Sequence, residues 1–398
     1  MTATLEGLKV VELGNFIAGP FASKIFAEFG ADVIKIESPE KGDPLREWRH
    51  VYEGRSLWWR LQSRNKKSLT VNMKEEEGQE VVKNLIKEAD IVIENFKPGT
   101  LEKWGLSYEN LKEINPGIIM VRISGYGQTG PYKDKAGFGS VGESMGGIRY
   151  VTGHPELPPP RVGISLGDQI TAMYAVVGAM FAVYHRDVLD TGEGQMIDVA
   201  LYESVFSLME GMLPEYEKFG AIRERQGTSL PGVAPSNTYQ CKDNKYIVIG
   251  GNGDKIFKRL MNAIGREDVA NDERFQNNNG RAAEADYLDE VIQAWTDTVD
   301  LNEAMDVLDK ASVPAGPIYN IEDIVNDPQY QARQMFEEHQ LNDEENIRLP
   351  GIVPKMSKTP GTTKWLGPDL GAHNEDVLSN ILGMSSKEIK AYKDKGII

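Results

Sequence analysis

The chain has 398 residues, 40% hydrophobic and 26% charged, which is enough for two or three domains and a substantial buried core. Its 60 acidic and 44 basic residues leave a net charge of -16, which opposes general binding to nucleic acid or anionic membranes. A small anion held by a few local lysines is still compatible with that charge, because salt screens the distant field.

A single cysteine, Cys241, excludes an intrachain disulfide and a cysteine-based zinc site. The start, "MTATLEGLKVVELGNF", has no basic segment followed by a long apolar run, so no signal peptide is expected. The longest apolar stretch, 172–183, falls short of the ~20 residues a membrane span needs. The expectation is a cytoplasmic protein that touches neither membrane nor nucleic acid.

Taken in chain order, "LKVVEL" (8–13), "DVIKIE" (32–37), "SLTVNM" (68–73), "DIVIENF" (90–96) and "IIMVRIS" (118–124) read as strands, rich in Val and Ile and bounded by turn formers. Between the third and fourth, 75–89 places Val81, Val82, Leu85 and Ile86 at helical spacing. Strand–helix alternation predicts an α/β fold with a mostly parallel sheet covered on both faces. A long apolar helix is expected from Asp168 to about Tyr184, followed by a strand and a second apolar helix within 193–213. The block 225–325 reads as a smaller α+β unit, and the tail from 326 as turn-rich with a last helix near 386–395.

Three segments bear on chemistry. The first strand–turn–helix–strand ends in an acid, Glu37, as a dinucleotide site would, but its glycines are Gly14 and Gly19 rather than G-x-G-x-x-G. Basic residues gather in "RNKKS" (64–68) and at Lys74, Lys97 and Lys103, either as phosphate-binding point charges at strand ends or as solvated helix ends. "VIGGNGDKIF" (248–257) runs from a strand through Gly250, Gly251, Asn252 and Gly253 into a helix, and is either a plain turn or a mobile loop over a site.

The five histidines fall in no metal-binding spacing, so no metal is expected, and neither a G-x-S-x-G elbow nor a P-loop is present. That leaves Asp168 in "ISLGDQITAM" (164–173). It reads either as the N-cap of the apolar helix or as a carboxylate nucleophile kept ionised by the positive helix start.

Together the segments resemble class III CoA-transferases, the group containing formyl-CoA transferase, carnitine CoA-transferase and the succinyl-CoA:dicarboxylate enzymes. The resemblance spans essentially the whole chain. It rests on "LEGLKVVELGNFIAGPFASKIFAEFGADVIKIESPEKGDPLR" (5–46), "SRNKKSL" (63–69), "ENFKPGTLEKWGL" (94–106), "SGYGQTGP" (124–131), "GDQITAMYA" (167–175), "TGEGQMIDVAL" (191–201) and "GPIYNIEDIVNDPQ" (316–329).

The resemblance implies interlocked, ring-like subunits forming a homodimer. Each would have a large Rossmann-like domain, here 1–200 with the returning segment 326–398, a linker helix at 201–224 and the small α+β domain at 225–325. It implies that Asp168 is the nucleophile, that an acyl-CoA and a carboxylic acid are the substrates, and that no tightly bound cofactor is needed. By position, CoA contacts are expected from Ile17, Ala18, Asn72, Met73, Lys74, Asn95, Phe96, Lys97, Lys103, Gly137, Phe138 and Gly139. The glycine loop 250–253 is expected to cover the acid substrate.

Formyl-CoA transferase carries glutamine at the position of Ile17 and arginine at those of Ser38 and Lys103, so contacts there differ. α-Methylacyl-CoA racemases resemble the chain too, but they use a histidine in the segment that here reads "KAGFGSVGES" (135–144), near Phe138. A nicotinamide oxidoreductase and a non-catalytic CoA-binding protein are the remaining alternatives.

Overall fold

A computed structural model describes residues 3–342 and 344–398 and divides the chain into two compact units. The first unit runs up to Ile148 and adds Arg161–Glu210 and Met335–Ile398; the second comprises Arg149–Pro160 and Gly211–Gln334.

The first unit is built on six parallel strands: β1 (Lys9–Glu12), β2 (Asp32–Glu37), β3 (Lys66–Thr70), β4 (Ile91–Glu94), β5 (Ile119–Ser124) and β6 (Met196–Ala200). Their order across the sheet is β3-β2-β1-β4-β5-β6, all pairs parallel. Runs of Val and Ile make these strands because both faces are buried. Val10, Val33, Ile91 and Val121 enter one core with Ala172, Ala175 and Ala179. Their chain neighbours Val11, Ile34, Val92 and Met120 enter the other core, with Val81, Val82, Leu85 and Ile86 of the helix Glu76–Ile86 and with Val377, Leu378 and Ile397 of the C-terminal segment. The strand order reverses between β1 and β4, and in such sheets a ligand crevice lies beyond the strand carboxyl ends at that point.

The third strand begins two residues earlier than "SLTVNM" suggests, at Lys66. A lysine ordinarily marks a strand's limit, but this one is buried and ion-paired to Glu12. The C-terminal segment also holds an antiparallel hairpin, Phe336–Gln340 with Asn346–Pro350, which the turn-rich composition concealed. The span 201–224 is not one linker helix. It contains the helices Leu201–Phe206 and Met212–Phe219, in different units, broken where Glu210 takes φ 47°.

The apolar helix α1 spans Leu166–Val183 and continues as a π-turn to Val188. At 23 residues and mean hydropathy 1.4 it is longer than the stretch 172–183 implied, and is long and apolar enough to cross a membrane. Its alanine face, Ala172, Ala175, Ala179 and Ala182, is nevertheless packed into the sheet core of the first unit.

The second unit places a three-stranded antiparallel sheet, Ser236–Gln240, Tyr246–Gly250 and Ala315–Pro317, beside the helices Asp254–Ala263, Ala285–Thr296 and Leu301–Lys310. Its core includes Ile247, Ile249, Phe257, Leu260, Leu288, Ile292 and Leu308.

Candidate active site

The reversal of strand order opens a cavity of about 320 Å³ at the carboxyl ends of β1, β4 and β5. The turn after β1 contributes Phe16, Ile17 and Ala18, and the turn after β4 contributes Asn95 to Pro98. Ile123, Ser124 and Gly125 come from the end of β5, and Lys135 to Gly139 from the segment beyond it. Asp168 and Leu201 complete the lining.

Asn95 staples the two central turns. Its Oδ1 accepts from Asn15 N at 2.8 Å, and its Nδ2 donates to Asn15 O at 2.9 Å. Phe16 is held at φ 64°, with its N–H bonded to Asp43 Oδ1 at 3.1 Å.

Asp168 is not the helix cap. Ser165 holds the N-cap position, and Asp168 lies inside the first turn with no hydrogen bond from its carboxylate to any described residue. Gly139 makes room for it. A Cβ on Gly139 would come within 2.6 Å of Asp168 Cγ and nearer still to Oδ2. Gly125 and Gly137 pack backbone to backbone, so that a Cβ on Gly125 would stand 2.5 Å from Gly137 Cα.

Burial raises the Asp168 carboxyl to about 6, the nearby Glu143 carboxylate adds to the rise, and Arg161 opposes it. Loss of hydration thus lifts the group well above the usual carboxylate range, and it still ionises at neutral pH. Glu143 is buried, and its Oε1 accepts from Gly167 N at 3.2 Å, so the second carboxylate is tied to the turn that carries the first.

The cavity unites Asp168 with Ile17, Ala18, Asn95, Phe96, Lys97, Gly137, Phe138 and Gly139, all expected from sequence. Asn72, Met73, Lys74 and Lys103 do not line it. Asn72 N donates to Ile397 O at 2.7 Å, Met73 packs on the sheet core, and Lys103 ends the short helix Thr100–Lys103. Sequence reading missed Phe16, Ser124, Gly125, Lys135 and Glu143 as site residues, although the last four lie inside the motifs "SGYGQTGP" and "KAGFGSVGES". Lys97 and Lys135 are exposed at the cavity and supply local positive charge against the overall negative field.

Beneath the crevice lies a buried charge cluster. Lys35 Nζ meets Glu12 Oε1 at 2.6 Å and Asp43 Oδ2 at 2.8 Å, while Lys66 Nζ meets Glu12 Oε2 at 2.9 Å. Burial raises the Glu12 carboxyl, but the two lysines outweigh it and hold it at about 2. Arg64 likewise pairs with Glu28, its Nε donating to Oε1 at 2.6 Å. Arg64 and Lys66 are thus neither phosphate ligands nor solvated. They neutralise buried acids at the start of β3. Glu37 is enclosed by Arg46 at 2.7 Å and by Ser68 Oγ at 2.6 Å, which leaves no carboxylate edge for a ribose and removes the dinucleotide reading.

The loop 250–253 belongs to the second unit, and hydrogen bonds fix its backbone. Gly250 N donates to Pro314 O and Gly251 N to Pro235 O, while Asn252 O accepts from the buried Arg281 at 2.6 Å. A Cβ on Gly251 would reach within 2.6 Å of Leu260, so this glycine serves close packing.

Residues 5–374 match the profile of CoA-transferase family III. The succinyl-CoA–D-citramalate CoA-transferase of Chloroflexus aurantiacus is 48% identical over 395 residues, covering 99% of this chain and 98% of its own. The succinate–glutarate CoA-transferase of Agrobacterium fabrum is 35% identical and covers 95% of each chain. A CAIB/BAIF family protein from Brucella suis superposes with a TM-score of 0.84 at 35% identity, covering 96% of this chain and 100% of that one. The chain belongs to CoA-transferase family III and is a CoA-transferase.

Proposed function

We propose that this enzyme moves CoA from succinyl-CoA to a small dicarboxylic acid through covalent intermediates on Asp168. The observation that carries the reading is the Asp168 carboxylate, unpaired and partly dehydrated, against Gly139 in the crevice at the sheet's strand-order reversal. An Asp168 oxygen attacks the thioester carbonyl, the C–S bond breaks, and CoA leaves as thiolate with a mixed anhydride behind it. The thiolate then attacks Asp168 Cγ and expels the donor acid as carboxylate, leaving an aspartyl-CoA thioester. The acceptor carboxylate attacks the same Cγ and frees the thiolate, which takes the acceptor's acyl carbon and restores Asp168. No net proton is consumed, and the thioester energy is retained because covalent intermediates replace hydrolysis.

CoA lies, on this reading, along Ile17, Ala18, Phe96, Lys97 and Gly137–Gly139, with Lys97 and Lys135 as phosphate contacts; Asn72 to Lys74 and Lys103 are more distant CoA contacts. The racemase alternative lacks support at the cavity, which holds Phe138 and no histidine among its lining residues.

The strand order supports a Rossmann-like large domain. Self-association as an interlocked homodimer is supported by the outer face of α1, where Met173, Tyr174, Val177 and Phe181 stand exposed, Phe181 by 70%. A buried, unpaired Cys241 suits a cytoplasmic enzyme.

The substrates are tested by incubating the enzyme with succinyl-CoA and, in turn, citramalate, malate or glutarate. The corresponding new CoA thioester should be found by mass spectrometry. Turnover confined to monocarboxylic acids would contradict the dicarboxylate assignment.

A further inference from the structure

A second cavity, of about 360 Å³, adjoins the first turn of α1. It is lined by Arg49, His50, Leu57, Trp58, Ile164, Ser165 and Gln169. Ser165 and Gln169 bracket Asp168 in that turn, so one turn of helix presents the nucleophile to the first cavity and its neighbours to the second.

A series of aromatic rings stands between the two cavities. Phe16, in the wall of the first, lies 5.0 Å from Trp48, and Trp48 lies 6.2 Å from Trp58, in the wall of the second. Arg49 is stacked over Trp58 with its guanidinium carbon 4.7 Å from the ring centre. Stacking fixes the plane of the fork without using its N–H donors.

Arg49 is the one arginine among the lining residues of this cavity, and its charge is not neutralised there. Arg46, Arg64 and Arg122 of the same unit are occupied by Glu37, Glu28 and Glu94, whereas Arg49 has no acidic partner among the described residues. Its backbone is held at φ 60°, in the left-handed region that a non-glycine residue adopts at a cost. The imidazole of His50 follows it into the same cavity without a hydrogen bond to any described residue. An oriented, unpaired guanidinium beside a polar imidazole, Ser165 and Gln169 is a receptor for a planar anion.

We propose that Arg49, supported by His50, binds the distal carboxylate of the dicarboxylic substrate while its other carboxylate, free or as thioester, reacts at Asp168. The assignment rests on the dicarboxylate reading above. Arg49 is then a specificity-determining residue that selects diacids over acids with a neutral far end.

The test uses the full-length enzyme and label exchange between succinyl-CoA and isotopically labelled succinate, compared with transfer to succinamate, in which one carboxylate is a neutral amide. The wild type should prefer succinate by about tenfold to a hundredfold in kcat/KM, the range a charge-assisted hydrogen-bonded contact supplies. Arg49→Gln should collapse that preference to within about threefold, mainly through the KM for succinate, and Arg49→Lys should keep an intermediate ratio because it keeps the charge. A ratio is read within one preparation, so partial loss of folded enzyme does not imitate the result. Wild-type enzyme that exchanges no label with succinate removes the substrate reading. Exchange that proceeds with equal use of succinate and succinamate, or with a ratio unchanged in Arg49→Gln, overturns the role of Arg49 alone.

Discussion

The most informative single substitution is Asp168→Asn, because the proposed mechanism and the electrostatics make opposite demands on the side chain. As nucleophile, the carboxylate is indispensable, and the amide should lower transfer by at least about a thousandfold, as removal of a covalent catalyst does. As a partly buried charge beside Glu143, the same carboxylate opposes folding. Its ordinary value of 3.8 rises to about 6 in the folded chain, so the native state holds its proton more tightly than the unfolded one. The stabilising protonated form is fully present below the unfolded value and is lost as pH rises through about 6.

At about 1.4 kcal/mol per pH unit, the ionised carboxylate therefore costs up to about 3 kcal/mol above neutrality, and of order 1–3 after partial exposure to water is allowed for. Asp168→Asn should thus be inactive and yet melt higher than wild type at pH 8, by a few degrees for a chain of this size. The gain should shrink through pH 6 and vanish near pH 4. Differential scanning fluorimetry across that range measures it. A variant that melts lower at pH 8, or a difference that does not change with pH, would refute the reasoning and return Asp168 to a structural part.

Glu143→Gln keeps an acceptor for Gly167 N but removes the like charge, so the acid limb of the kcat/KM profile should move below about 6; an unmoved limb would exclude Glu143 from tuning Asp168. Gly139→Ala drives a methyl into the Asp168 carboxylate and should cut transfer by about a hundredfold or more with little change in melting, since the cost falls on catalytic geometry. Glu12→Gln leaves Lys35 and Lys66 without their shared buried acid and should destabilise the protein by about 3–5 kcal/mol in urea unfolding. Because Glu12 is held down at about 2, its contribution is fully present above its unfolded value of 4.5 and lost as pH falls from there toward 2, so the penalty should fade in acid.

The sheet was legible where hydrophobicity is the whole reason for a strand. The Val and Ile runs at 9–12, 32–37, 91–94 and 119–124 are buried on both faces and announce themselves. The third strand was displaced because Lys66 is interior, and one sequence does not show that Glu12, more than fifty residues earlier, neutralises it. The hairpin 336–350 escaped notice because it alternates charged and polar residues and buries little.

At the site, Asp168 stood out by the lack of any competing catalytic set, but its raised carboxyl comes first from burial in the fold and then from Glu143, which belongs to another helix. Gly137 and Gly139 were expected only as CoA contacts, and Gly125 only as part of a motif. Their service, letting backbones meet and a carboxylate approach, is visible only in three dimensions. Arg49 carried no signal at all, since an unpaired arginine is recognised only once the partners of its neighbours are known.

The central claim is that the acyl group and CoA pass through covalent linkage to Asp168, and trapping that linkage tests it most directly. Wild-type enzyme mixed with succinyl-CoA and quenched in hydroxylamine should yield, on peptide mass spectrometry, a hydroxamate at Asp168 that depends on the thioester and is absent from Asp168→Asn. Efficient CoA transfer in the same preparation with Asp168 unmodified, or with the hydroxamate on another residue, would contradict the account.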